Sequence, residues 1–181
     1  MKTSKGKHLE WEAFGHLFKR EEYQAGTLLL REGQVSRKAY LIEKGCCRLW
    51  FNNNGKDVSF QFFFEGQAIS SAESFRNNQP SQFSIETIEP CVMFTISKKD
   101  FQLMVDTSPA FKADVEENIF QRLLLYQQLF LSRIKDSPEK RYHDLLANHP
   151  EMLQRIPQHY IASYLGITSV SLSRIRNRRA H

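Results

Sequence analysis

Residues 158–177 read QHYIASYLGITSVSLSRIRN, and this stretch predicts two short helices joined by a tight turn. In the first, Ile161, Ala162 and Leu165 share one face at helical spacing. Gly166 follows, where a helix end needs a residue that accepts a left-handed backbone. Ile167 points inward from the turn, and the small side chain of Ala162 lets the helices approach closely. Thr168 caps the second helix, because its hydroxyl can accept a bond from an amide about three residues on. Leu172 and Ile175 form the buried face of that helix. The pattern is the sequence form of a helix-turn-helix, whose second helix enters the major groove of DNA.

With Leu172 and Ile175 inward, about 3.6 residues per turn places Val170, Ser173, Arg174 and Asn177 on the opposite side. Thr168, Ser169 and Arg178 flank that face, and Arg179 follows. Arg174 is the natural base reader, since a guanidinium pairs bidentately with guanine. Arg176, Arg178, Arg179 and the hydroxyls of Thr168 and Ser169 suit phosphates. The bland alternative is a helical hairpin with solvated arginines. Charge separates the two: from Met152 to His181 there are five arginines and no Asp or Glu, the bias that a phosphate-binding surface needs.

The 181 residues suit one domain of ordinary size plus a small one. Net charge is +5 and the pI about 9.2, which favours nucleic acid over an acidic protein as partner. The three cysteines, Cys46, Cys47 and Cys91, are too few for a disulfide framework and read as reduced, small apolar residues. Cys46 and Cys47, as neighbours on a strand, point to opposite faces. No apolar run approaches the roughly 18 residues of a membrane span. The opening MKTSKGKHLEWE has basic residues without the apolar core of a signal peptide. The expectation is a soluble cytoplasmic protein with no membrane contact.

Upstream, Leu9, Phe14, Leu17 and Phe18 predict a short helix over 9–20. From there to Ile96 the pattern is that of strands: 27–31, 38–43, 46–51, 56–64, 83–88 and 91–96. Asn54-Gly55 between two apolar runs signals a hairpin, because a two-residue hairpin turn needs positive backbone angles. Short antiparallel strands at this spacing predict a β-sandwich or barrel. The run Phe62-Phe63-Phe64 reads as core plus a covered outer face.

A helical period returns with a short helix over 100–105. Ser108-Pro109 opens a long helix that runs to about Lys135, proline being suited to the first turn. Phe111, Val115, Ile119, Leu123, Tyr126, Phe130 and Ile134 make one apolar stripe, and Phe120, Leu124 and Leu131 a second. A helix with two apolar faces packs on two things: its own β-domain and, most simply, the same helix of a second subunit. Val115, Ile119, Leu123, Tyr126 and Phe130 are the expected dimer contacts. The alternative is an intramolecular bundle, which the short remaining helices are poorly able to supply. Asp136-Ser137-Pro138 is a joint, 138–147 a helix, and 150–157 a connector. The expected class is α+β, divided into 1–97 (helix and β-roll), 98–136 (short and long helices) and 137–181 (DNA-binding unit).

This order of parts resembles the cAMP-receptor-protein (Crp/Fnr) superfamily of bacterial transcription regulators. The resemblance rests on Ile161-Ala162, Leu165-Gly166-Ile167-Thr168 and Leu172-Ser173-Arg174-Ile175, with support from the β-roll glycines and from Tyr40-Leu41-Ile42 followed by Gly45. It implies a homodimer that binds inverted-repeat DNA sites and senses a signal in the β-roll. RNA polymerase is a candidate further partner.

Departures from the family pattern sharpen the expectation. The phosphate cassette of cAMP-binding members begins Gly-Glu and ends Arg-Ser/Thr-Ala; here Gly66-Gln67 stands at the start and Pro80-Ser81-Gln82 at the end. The effector pocket would involve Gly66, Gln67, Ala68, Ser81 and Gln82, but it lacks the arginine that neutralises a cyclic phosphate. An uncompensated buried charge is costly. So no cofactor is expected, cAMP in particular, and any effector is of another kind. No cysteine precedes Cys46, so the cluster of the oxygen-sensing members is missing. Ser169 and Val170 stand where relatives carry Arg or Pro followed by Glu. With the chain ending at His181, the β-wing is expected to be truncated or absent.

The leading function is a dimeric, sequence-specific DNA-binding regulator. A second class is an interaction scaffold that keeps the regulator fold, favoured by Val170 and the missing wing and opposed by the acid-free, arginine-rich end. A third is an enzyme or metal site in the roll. The six histidines, at 8, 16, 143, 149, 159 and 181, all lie outside the strand region, so a barrel metal site has no imidazole ligands there. The expectation is therefore no enzyme and no metal.

Overall fold

The computed structural model describes residues 14–177. After one 3-10 turn at Gly15–Leu17 come eight strands: β1 Lys19–Tyr23, β2 Leu28–Leu30, β3 Lys38–Lys44, β4 Cys47–Asn53, β5 Lys56–Phe63, β6 Ala68–Ile69, β7 Ser84–Thr87 and β8 Cys91–Ser97. A short helix, α1 Ala72–Asn77, interrupts them. The helical half follows as α2 Lys98–Thr107, α3 Pro109–Lys135, α4 Pro138–Asn148, α5 Pro150–Arg155, α6 Gln158–Leu165 and α7 Ser169–Asn177. The class is α+β, as the residue pattern predicts.

The strands form two antiparallel four-stranded sheets, in the orders β1-β8-β3-β6 and β2-β7-β4-β5. The β4–β5 hairpin closes through Asn54 and Gly55, whose φ values of 52° and 85° are those of the predicted two-residue turn. Ile42, Leu49, Ile69, Ile85 and Met93 fill the space between the sheets. Cys47 joins this inner core, whereas Cys46 faces a second one, the alternation of neighbours along a strand. The Phe triplet divides in the same way: Phe63 lies in the inner core and Phe62 on the outer face.

That outer face is covered. Phe62 and Cys46 share a core with Tyr142, Met152, Ile161, Leu165 and Leu172 of α4 to α7. The C-terminal helices therefore complete their apolar interior against the roll.

Two expectations are corrected. Lys19 and Arg20 belong to a strand, not to a helix over 9–20: β1 pairs with β8 from Lys19↔Thr95 to Tyr23↔Cys91, and sheet pairing overrides a short helical spacing. Residues 9–13 lie outside the described residues. The 150–157 connector contains α5, opened by Pro150 at its first turn. Helix α1 is too short for a helical period to show in the sequence.

Candidate nucleic-acid interface

Helices α6 and α7 meet at Gly166, which takes the left-handed conformation with φ 71°. Gly166 N donates to Ser163 O and Ile167 N to Ala162 O, each at 2.9 Å, turning the chain back after α6. Thr168 Oγ1 accepts from Ser171 N at 3.1 Å, the predicted cap. Leu172 is buried and Ile175 half-buried. Thr168, Ser169, Val170, Ser173, Arg174, Arg176 and Asn177 are exposed, Val170 by 60%. Arg178 and Arg179 lie outside the described residues. The face of α7 opposite its core is thus a strip of hydroxyls, one amide, one isopropyl group and one guanidinium, with no acidic residue along the helix.

Polar contacts as well as the shared core hold this unit to the roll. Ser59 N in β5 donates to Ser163 Oγ in α6 at 2.9 Å. Arg48 points outward from β4 yet is 2% exposed, because Tyr160 of α6 covers its guanidinium at 3.8 Å. Arg48 also donates to Glu86 at 2.6 and 3.0 Å and to Ser59 Oγ at 3.1 Å. Arg155, the last residue of α5, donates to both oxygens of Glu65 at 3.0 and 2.7 Å and to Glu89. The Glu65 carboxyl is held down to about 2, chiefly by its hydrogen bonds from Arg155. Arg48 and Arg155 carry no local sequence signal, since each acts across elements distant in the chain.

The expected effector residues are engaged otherwise. Gln67 Oε1 accepts from Phe64 N at 2.9 Å, and Gln67 O accepts from Ile42 N. Gly66 N donates to Ile42 O at 2.8 Å. Ser81 is buried, bonded through Oγ to Phe83 O at 2.7 Å and to Ser71 Oγ at 2.9 Å. Gln82 is exposed and donates to Glu73. Pro80 makes a β-bridge with Val35. These bonds draw Gly66-Gln67 towards β3 and Ser81 towards α1 and the 33–34 turn. The cation that the structure does bring to the segment is Arg122 of α3, which donates to Ala68 O at 2.8 Å and lies 4.6 Å from the Phe63 ring centre.

Along α3 the half-buried residues are Phe111, Val115, Arg122, Leu129 and Ser132, the side turned to its own chain. Phe111 packs edge-on against Phe101 of α2. The expected dimer contacts divide accordingly: Val115 flanks the intrachain side, while Ile119, Leu123, Tyr126 and Phe130 are exposed, Leu123 by 60% and Phe130 by 66%. Phe120, Leu124, Leu131 and Ile134 widen the exposed strip.

The three cysteines are buried thiols, and burial pushes Cys46 up to about 12. Among the described residues no group of His, Cys, Asp and Glu is gathered to hold a metal, and no helix is long and apolar enough to cross a membrane.

Residues 20–108 match the family model of the cyclic nucleotide-binding domain. The roll is thus similar to a cyclic nucleotide-binding domain. No curated protein matches the chain by sequence. Among solved structures, the c-di-GMP-responsive global regulator CLP of Xanthomonas campestris is similar over 96% of this chain and 92% of its own, with 17% identity and a TM-score of 0.79. FixK2 of Bradyrhizobium japonicum is similar over 89% of this chain and 83% of its own, at 14% identity and a TM-score of 0.75. A protein of Eubacterium rectale described as a transcriptional regulator of the Crp/Fnr family is similar over 94% and 82%, at 13% identity and 0.74. The roll and the helices after it together have the fold of the Crp/Fnr regulators.

Proposed function

We propose that the chain is a dimeric, sequence-specific DNA-binding transcription regulator of the Crp/Fnr type, not controlled by cAMP. One observation carries the reading: α7 turns Leu172 inward and leaves Ser169, Val170, Ser173, Arg174 and Asn177 uncovered on one side. Two such helices in a symmetric dimer would lie about 34 Å apart and meet a palindromic site. Arg174 reads a base, guanine by its geometry, and Thr168, Ser169, Arg176, Arg178 and Arg179 hold phosphates. Val170 offers a thymine methyl a contact. Residues 1–97, 98–136 and 137–181 act as the sensing, dimerising and DNA-reading parts, with double-stranded DNA and a second copy as partners and RNA polymerase as a further one. The committed hydroxyls and amides at Gln67 and Ser81 support an effector other than a cyclic phosphate.

The test is selection of binding sites from random duplex DNA by the purified protein, followed by single-base variants of the winner. A palindrome is expected, and Arg174→Ala is expected to cost about 1–3 kcal/mol per half-site and relax one base position. Selection without enrichment would reject the reading, and unchanged base preference in Arg174→Ala would reject the role of Arg174.

A further inference from the structure

The last carbonyls of a helix have no partner within it and must find one elsewhere. In α6 the account closes residue by residue. Ala162 O accepts from Ile167 N and Ser163 O from Gly166 N. Tyr164 O accepts from Arg133 Nη2, a side chain of the long helix α3. Leu165 O accepts from Arg141 Nη2, a side chain of α4, at 2.8 Å. So the two carbonyls that the turn leaves open are filled by guanidiniums from two other helices. Both cations sit at the negative end of the α6 dipole, where positive charge is stabilised.

The same two arginines grip the joint between α3 and the C-terminal helices. Arg141 Nη1 donates to Asp136 O at 2.7 Å. Asp136 and Ser137 are the only residues between α3 and α4. Arg133 crosses the turn so closely that a Cβ at Gly166 would lie 2.8 Å from its Nη1. Burial and the neighbouring Arg141 both lower the pKa of Arg133, as expected of two guanidiniums packed around one helix end. Thr168, the cap of α7, is two residues past Gly166.

We infer that Arg133 and Arg141 are positioning residues that set the angle of α7 against the long helix, by clamping the α6 C-terminus from both sides of the joint. Neither touches the DNA face. A backbone joint of two residues permits rotation, and two hydrogen bonds from different helices to adjacent carbonyls remove it. Lysine fits such a clamp poorly, because a guanidinium offers several donors in one rigid plane and an ammonium is a point donor. The consequence for DNA rests on the function proposed above, but the geometry does not.

The experiment separates the two. Spin labels are placed at Gln127 of α3 and Ser173 of α7, and labelled chains are diluted into unlabelled protein so that only the distance within one chain is read. The parent is expected to give one narrow distance, R133A/R141A a broadened or displaced one, and R133K/R141K an intermediate width. DNA affinity of the unlabelled proteins is measured alongside. It is expected to fall at least about tenfold in R133A/R141A, the size of one lost hydrogen bond to a charged group, with tolerance of altered half-site spacing. Should the double variant not fold, R133A and R133K carry the same comparison. A distance distribution in the alanine variants as narrow as the parent's, at the same position, overturns the inference whatever happens to DNA binding. A broadened distance in a protein that selects no DNA supports the clamp and rejects the DNA reading instead.

Discussion

Replacing Arg48 with methionine removes a charge from the seam between the roll and the C-terminal helices while keeping a stem of similar length. The side chain of Arg48 is 3% exposed and that of its partner Glu86 18%. Three of its nitrogens donate, to Glu86 from Nε and Nη2 and to Ser59 from Nη1. The guanidinium also lies between Trp50, 4.8 Å away, and Tyr160, 3.8 Å away. Removing one partner of a buried ion pair costs about 3–5 kcal/mol, because the other charge is left in a poor solvent. Total stability of a domain is about 5–15 kcal/mol, so the loss takes a large share of it. For a chain of this size each kcal/mol is worth about 2–4 °C, which gives a fall in melting temperature of roughly 6–20 °C.

The cost should depend on the stranded carboxylate. Arg48→Met combined with Glu86→Gln removes both charges, and replacing a whole buried pair by neutral groups is often close to neutral. The double variant should therefore be more stable than Arg48→Met alone. Urea denaturation followed by fluorescence at the seam residues Trp50 and Tyr160 measures both. An Arg48→Met cost below about 1 kcal/mol would refute the reasoning, since a lost hydrogen bond to a charged group should cost about 1.5–3 kcal/mol. So would a double variant less stable than the single one.

Three further outcomes are expected. Glu65 has a depressed folded pKa of about 2 against an ordinary 4.5, so its contribution is present above about 4.5 and is lost as pH falls towards 2; acid titration of urea stability should show this loss, and Glu65→Gln should flatten it. Gly45→Ala should destabilise the roll by at least about 1–3 kcal/mol, because Gly45 has φ 105° and its new Cβ would lie 2.5 Å from Cys91 Sγ and 2.8 Å from Pro90 O; thermal unfolding against the parent reads it. Leu123→Glu, on the exposed strip of α3, should give monomers by sedimentation at micromolar concentration where the parent is a dimer, with loss of tight DNA binding.

The parts of the fold legible in the sequence are those whose signal is local. Asn54-Gly55 specifies its hairpin because the turn conformation belongs to those two residues. Gly166 and Thr168 mark the end of one helix and the start of the next for the same reason. The long helix was legible from its two stripes and from Pro109 at its first turn. Strand β1 was not, because Lys19–Tyr23 owes its conformation to pairing with Cys91–Thr95, 68 to 76 residues away. The outward face of α7 followed from helical geometry alone, and Ser169, Val170, Ser173, Arg174 and Asn177 are exposed together. The hydrogen bonds of Gln67 did not follow, since a cassette defined by spacing says nothing about which backbone amides its side chains meet.

What the sequence could not reveal is concentrated in five arginines: Arg48, Arg122, Arg133, Arg141 and Arg155. In a strand of alternating pattern, Arg48 reads as a solvent-facing residue, and it does face outward from β4. It is buried only because α6 covers that face. Arg122 and Arg133 read as the polar side of an amphipathic helix, yet they donate to Ala68 O and Tyr164 O. An arginine's long apolar stem lets its charge reach an acceptor far from its own backbone, so its partner is set by tertiary structure rather than by neighbours in sequence. Helices α5 and α6, which lead into the helix that reads DNA in the proposed function, are thereby tied by Arg48 and Arg155 to the roll, and the end of α6 by Arg133 and Arg141 to the long helix and the joint.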